Sequence, residues 1–168
     1  MSDEVFDKMA LDTFDPSPGT PAADEKDFSG IRIAMPAKVP AGRLTRLPLC
    51  GVWAFDGEKL ASFPSIIEDS LVFFARNAET HETATGNFRF HEDPATPEEM
   101  QAGDESAPAS PARDSAPPLL EPASVSARGY FNFNLGRVWK VPAKPGRWRV
   151  ELVLHEVHSN TVEFEVVR

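Results

Sequence analysis

Pro145-Gly146-Arg147-Trp148-Arg149-Val150-Glu151-Leu152-Val153-Leu154, followed after a polar stretch by Asn160-Thr161-Val162-Glu163-Phe164-Glu165-Val166, decides the fold. Trp148, Val150, Leu152 and Leu154 fall on even numbers, and so do Val162, Phe164 and Val166, with Arg147, Arg149, Glu151, Val153, Thr161, Glu163 and Glu165 between them. Alternation of this kind puts the two sets on opposite sides of a pleated strand, so the runs read as antiparallel partners with one buried face. Directly opposed residues share a face, and matched parity therefore requires an odd number of connecting residues. The shortest good solution is a three-residue turn, His158-Ser159-Asn160, with Asn160 in the left-handed conformation that closes such loops.

Working outward, weaker runs repeat the pattern. Ile31, Ile33 and Met35 alternate before Pro36; Leu47, Leu49, Gly51, Trp53 and Phe55 share one face of a longer strand that Asp56-Gly57 ends. Leu71-Val72-Phe73-Phe74-Ala75 is apolar throughout, as a central strand would be. Phe88 and Phe90 alternate with Asn87, Arg89 and His91, and Phe131, Phe133 and Leu135 alternate with Tyr130, Asn132 and Asn134. About seven short strands and no amphipathic helix predict an all-β fold, a single two-layer antiparallel β-sandwich.

The phrase Pro145–Val150 with Asn160–Val166 resembles the last two strands of bacterial immunoglobulin-like and fibronectin-type-III-like modules, and Pro40-Ala41-Gly42 before the second strand is similar too. The antibody-type disulfide is absent, since Cys50 is the single cysteine. The resemblance implies an immunoglobulin-like architecture and favours binding over catalysis.

Two stretches fall outside the strand pattern. Residues 1–28 are acidic and broken by Pro16, Pro18 and Pro21, and read as a disordered tail or a segment that folds on a partner. Residues 92–123 are rich in proline and carboxylates and read as a long low-complexity loop interrupting the sandwich of residues 29–168, with Leu119-Leu120 tacking its end to the core. The 168 residues carry a net charge of −9, which argues against nucleic acid or an anionic membrane as partner. Met1-Ser2-Asp3-Glu4-Val5-Phe6-Asp7 has neither the basic nor the apolar part of a signal peptide, and no apolar run approaches bilayer length. With its cysteine usage the chain is expected in a bacterial-type cytoplasm, leaderless export being left open. Cys50, between Leu49 and Gly51, reads as a small core residue.

Chemistry-bearing candidates are few. No nucleophile elbow, phosphate-binding glycine loop or dinucleotide fingerprint occurs. His81, His91, His155 and His158 are candidate metal ligands at strand ends, although His155 and His158 lack the helical spacing of known zinc motifs. Carboxylates such as Glu68-Asp69 fall in loops and read as solvated. Arg137, Trp139, Lys140, Lys144, Arg147 and Arg149 form the most unusual feature, a basic and aromatic stretch that reads either as a connection packed by Trp139 or as a docking patch. Such a patch would take a protein partner, an acidic one or the chain's own acidic segments. The face of Tyr130, Asn132 and Asn134 is a further candidate whose simplest reading is solvation. The sequence thus points to a non-enzymatic, protein-binding or accessory module with no cofactor. A histidine-based metal protein and a self-associating structural subunit are the alternatives, and partner and oligomeric state stay open.

Overall fold

The structure, a computed structural model, describes residues 3–25, 28–63, 67–88 and 126–168. Among them the chain forms strands β1 (Gly30–Ala34), β2 (Lys38–Pro40), β3 (Pro48–Asp56), β4 (Val72–Asn77), β5 (Thr83–Asn87), β6 (Ser126–Asn134), β7 (Gly146–Leu154), β8 (Val157–His158) and β9 (Val162–Val167). Helical segments are single turns: α1 (Gly57–Ala61), α2 (Ile67–Ser70) and α3 (Leu135–Val138). Two sheets, one in the order β1-β3-β6 and one in the order β2-β9-β7-β4-β5 with β8 paired to β7, enclose the core in a sandwich-like arrangement. The predicted loop at 92–123, with Leu119-Leu120, and the end of the strand expected at Phe88–Phe90 lie outside the described residues. No described helix is long and apolar enough to cross a membrane.

The sheets are not wholly antiparallel, in contrast to the antiparallel sandwich that the alternation predicts. β2 runs parallel to β9, with Lys38 opposite Glu165 and Pro40 opposite Val167. The cause is local: Pro36 has no N–H for the β1 ladder, so the chain leaves the first sheet there and joins the edge of the second in the same direction.

The closing hairpin keeps its predicted faces but not its predicted turn. β7 and β9 pair with Trp148 opposite Phe164 and Val150 opposite Val162, so even-numbered residues oppose one another. Trp148, Val150, Leu152, Leu154, Phe164 and Val166 are all buried, while Val162 is half-buried against the core. The connection from 151 to 161 is odd in length, as parity demands, yet it is not a simple loop. β7 first folds back on β8, with Leu154 opposite Val157, through a tight turn at His155-Glu156. The left-handed residue is His155, at φ +53, not Asn160.

Asn160 instead reaches the other sheet. Its side chain accepts from Ile33 N–H at 2.8 Å and donates to Ile33 C=O at 3.0 Å. This amide thus imitates a neighbouring strand and closes the free edge of β1, a position where unpaired backbone would invite foreign pairing. β3 carries glycine where its neighbour needs room: Gly51 faces Phe131 and Gly129 of β6 faces Trp53. A Cβ on Gly51 would sit 1.9 Å from Phe131, so the bare backbone lets that ring lie flat in the core.

The N-terminal segment is the largest departure from the sequence reading. Residues 3–25, expected as a disordered tail, lie over the outer face of the β1-β3-β6 sheet. Phe6 and Met9 are buried against Cys50 in a second small core, joined by Val5, Leu11 and Ala34. Asp3 accepts from the N–H groups of Ala37 and Lys38, Asp7 pairs with Arg43 at 2.8 Å, and Arg46 donates to Met9 C=O. Thr13 pairs with Asn132 and so engages the outer edge of β6 at that residue. The face of Tyr130, Asn132 and Asn134 is therefore not simply solvated: Asn132 is 1% exposed. Its side chain accepts from Ser17 Oγ at 2.8 Å and donates to Thr13 Oγ1 and Asp15 C=O. Every polar atom of that amide is satisfied by the segment, as burial requires.

Cys50 supplies a test of this covering. Its Sγ lies 3.4 Å from Met9 Sδ, and burial pushes the thiol up to about 11, against a smaller lowering by Ser17. The neutral form is favoured, so near pH 8 roughly one thiol in a thousand is ionised. Labelling of the native protein by an aromatic disulfide reagent should be at least about 100-fold slower than in denaturant. It should also rise about tenfold per pH unit up to pH 10, where a free thiol has levelled off. Equal rates in native and denatured protein would contradict the buried placement.

Candidate functional site

The six basic and aromatic candidates separate into four places. Trp139 is 8% exposed and belongs to the core. The turn of α3 folds the chain back, Trp139 N–H donates to Leu135 C=O, and the indole stands edge-on to Trp148 at 4.9 Å and near Phe73 at 5.8 Å. It is a packing residue and cannot serve as an exposed anchor. Arg137 pairs with Asp12 at 2.7 Å and so holds the N-terminal segment. Lys140 and Lys144 are exposed and make no ion pair among the described residues. Arg147 and Arg149 alone lie on a sheet face, on the outward-pointing odd positions of β7.

The histidines do not converge. His81 follows the turn after β4 at φ +62, and its Nδ1 lies 3.2 Å from the Arg76 guanidinium. A guanidinium only donates, so Nδ1 accepts. His155 stacks on Phe63 with centroids 5.8 Å apart, and His158 lies 3.6 Å from Glu151. The His81 turn adjoins Arg147, since Ala78 N–H donates to Arg147 C=O, whereas His155 and His158 lie at the other end of β7, roughly 20 Å along the strand. His91 lies outside the described residues. No group of three or more metal-ligating side chains is assembled among the described residues. Glu68, expected to be solvated, accepts from the Trp53 indole at 2.9 Å.

The arrangement that does form a continuous surface is the outer face of β5, β4, β7 and β9. Odd positions of β4 point inward, so Leu71, Phe73 and Ala75 are buried while Phe74, 45% exposed, stands on the outside. The run 71–75 is thus not buried on both faces, although β4 does lie between two neighbours. Phe74 is opposed by Thr85 on one side and Glu151 on the other; Arg76 is opposed by Thr83 and Arg149. These residues and Thr161 line a shallow groove of about 540 Å³. Arg149 pairs with Glu163 at 3.1 Å, and Arg147 approaches Glu79 at 3.7 Å and Glu163 at 3.9 Å.

A somewhat larger hollow of about 600 Å³ lies beneath the N-terminal turn. Part of its charge is spent within the fold, since Asp3 accepts from the N–H groups of Ala37 and Lys38 and Asp7 holds Arg43. The outer face of the second sheet differs in presenting an exposed aromatic ring among arginines. Sequence alone held a signal for it: Phe74 and Arg76 share parity opposite to that of Phe73 and Ala75. No family model, curated protein or solved structure matches the chain.

Proposed function

We propose that the chain is a non-enzymatic binding module of immunoglobulin-like architecture that engages a protein partner through the outer face of β5, β4, β7 and β9. The strand order supports the architectural half of this reading. Lettered along the chain as A, A′, B, C, C′, E, F and G (β8 omitted), the sheets become A-B-E and A′-G-F-C-C′, with A, B and E in one layer and C, F and G in the other, as in immunoglobulin domains. The functional half rests on one observation, the exposed Phe74 ring flanked by Arg76 and Arg149. Aromatic and arginine side chains are the residues that most often dominate binding energy when a partner excludes water from them.

The test compares affinity capture by wild type and Phe74→Ala. A central aromatic anchor contributes about 2 kcal/mol or more, so partner recovery should fall about 30-fold while the unfolding midpoint hardly moves. An unchanged set of captured proteins at unchanged yield would count against this face.

A further inference from the structure

A β-sheet edge left open offers unpaired N–H and C=O groups to any extended chain, and folded proteins block most such edges. Here three of the four edges are each engaged at one point or more by described residues, though not along their whole length. Thr13 covers β6 at Asn132, the Asn160 amide covers β1 at Ile33, and β2 is short, contains Pro40, and gives its Lys38 N–H to Asp3. The fourth edge, β5, has the sequence Thr83-Ala84-Thr85-Gly86-Asn87. It carries no proline and no charge, and no described residue bonds to its outer side.

The side chains behind this edge have a pattern. A strand added beside β5 would lie about 10 Å from β4, with alternate side chains on the outer face. The two β5 residues between them on that face are Thr83 and Thr85, both short. Arg76 lies behind Thr83 and Phe74 behind Thr85, so the long arginine and the aromatic ring can reach across to positions two apart on an added strand. Arg76 directly opposes Arg149, a like-charge pairing that is unfavourable when left alone. Arg149 has Glu163, whereas Arg76 has no carboxylate partner among the described residues and spends one donor of its five on His81.

We infer that β5 accepts an extended acidic peptide as an added strand, with a carboxylate meeting Arg76 and an apolar side chain two residues along meeting Phe74. This occupant rests on the reading of the outer face as a binding face, and names its chemistry: main-chain bonds from the edge, selectivity from the row behind it.

The probe is a capped, fluorescent heptapeptide with glutamate at its second and sixth positions, valine at its fourth and threonine between, so that carboxylate and apolar side chain stand two apart on one face; it is titrated against the full chain by polarisation. Saturable binding should weaken at least tenfold when lysine replaces glutamate, and at least tenfold in Arg76→Gln. Arg76→Glu should reverse the preference toward the lysine peptide, a gain that a misfolded variant could not produce. Methylating alternate peptide nitrogens should abolish binding, because it removes the strand ladder. No saturable binding, equal binding of both peptides, or tolerance of the methylated form overturns strand addition. If Phe74→Ala still loses captured partners under any of those results, the binding face survives and only the occupant is wrong; if neither the peptide nor the partners respond, both readings fail.

Discussion

Trp148→Ala should lower stability by about 3–5 kcal/mol in denaturant unfolding, with the slope unchanged. The indole is 1% exposed, opposes Phe164 across the β7–β9 ladder, and stands against Trp139 at 4.9 Å. Trp139 cannot move into the space, because its own ring is held between Phe73 at 5.8 Å and Phe164 at 6.2 Å. The cavity therefore stays open, and an open cavity is what makes a large-to-small substitution costly. Such a loss approaches the whole stability of an ordinary domain, so Trp148→Phe serves as the milder companion, with a smaller loss in the same direction. Arg149→Ala, next in sequence but pointing outward, should stay within about 0.5 kcal/mol of wild type. A Trp148→Ala loss below about 1 kcal/mol would contradict the shared core of the two sheets.

Phe6→Ala should cost about 3 kcal/mol, although Phe6 stands in a segment whose composition suggests disorder. The ring is 3% exposed and packs against Met9 and Cys50. A substitution in a loose tail would change stability by less than about 0.5 kcal/mol, which is the value expected for the exposed Lys8→Ala. Amide exchange reads local opening residue by residue, so the loss is measured best as faster exchange at Asn132, whose N–H donates to Thr13 C=O at 2.9 Å. Exchange at Asn132 that is fast in wild type and unchanged by Phe6→Ala would return residues 3–25 to the status of a tail.

The core faces could be read from the chain because period-two alternation is a one-dimensional signal. The parity of Trp148–Leu154 and Val162–Val166 constrained both the pairing and the odd connection. It did not constrain how that connection was folded: a nested hairpin through His155-Glu156 satisfies parity as well as a short loop does. Asn132 was misread, and Trp139 left open between packing and docking, for a shared reason. Residue type gives a prior on burial, but the covering surface comes from distant sequence, Thr13 to Ser17 for Asn132 and the facing Trp148 for Trp139. The N-terminal segment likewise found partners that no local pattern announced, Arg43 and Arg46 in the connection before β3 and Arg137 in α3. The proposed binding face lay half-hidden in an apolar run, Leu71–Ala75, whose alternation was masked because Phe74 is as apolar as the buried residues beside it.

Among the described residues every sheet edge but that of β5 is engaged at one point or more, β6 at Asn132, β1 at Ile33 and β2 at Lys38, and native-state amide exchange tests this most directly. The N–H groups of Ile33, bonded to the Asn160 side chain, and of Asn132, bonded to Thr13, should exchange about as slowly as those of the central strand β7. Along Thr83–Asn87 alternate amides should exchange orders of magnitude faster, since their outward N–H groups have no described partner. Uniform protection along β5, or fast exchange at Ile33 and Asn132, would contradict it.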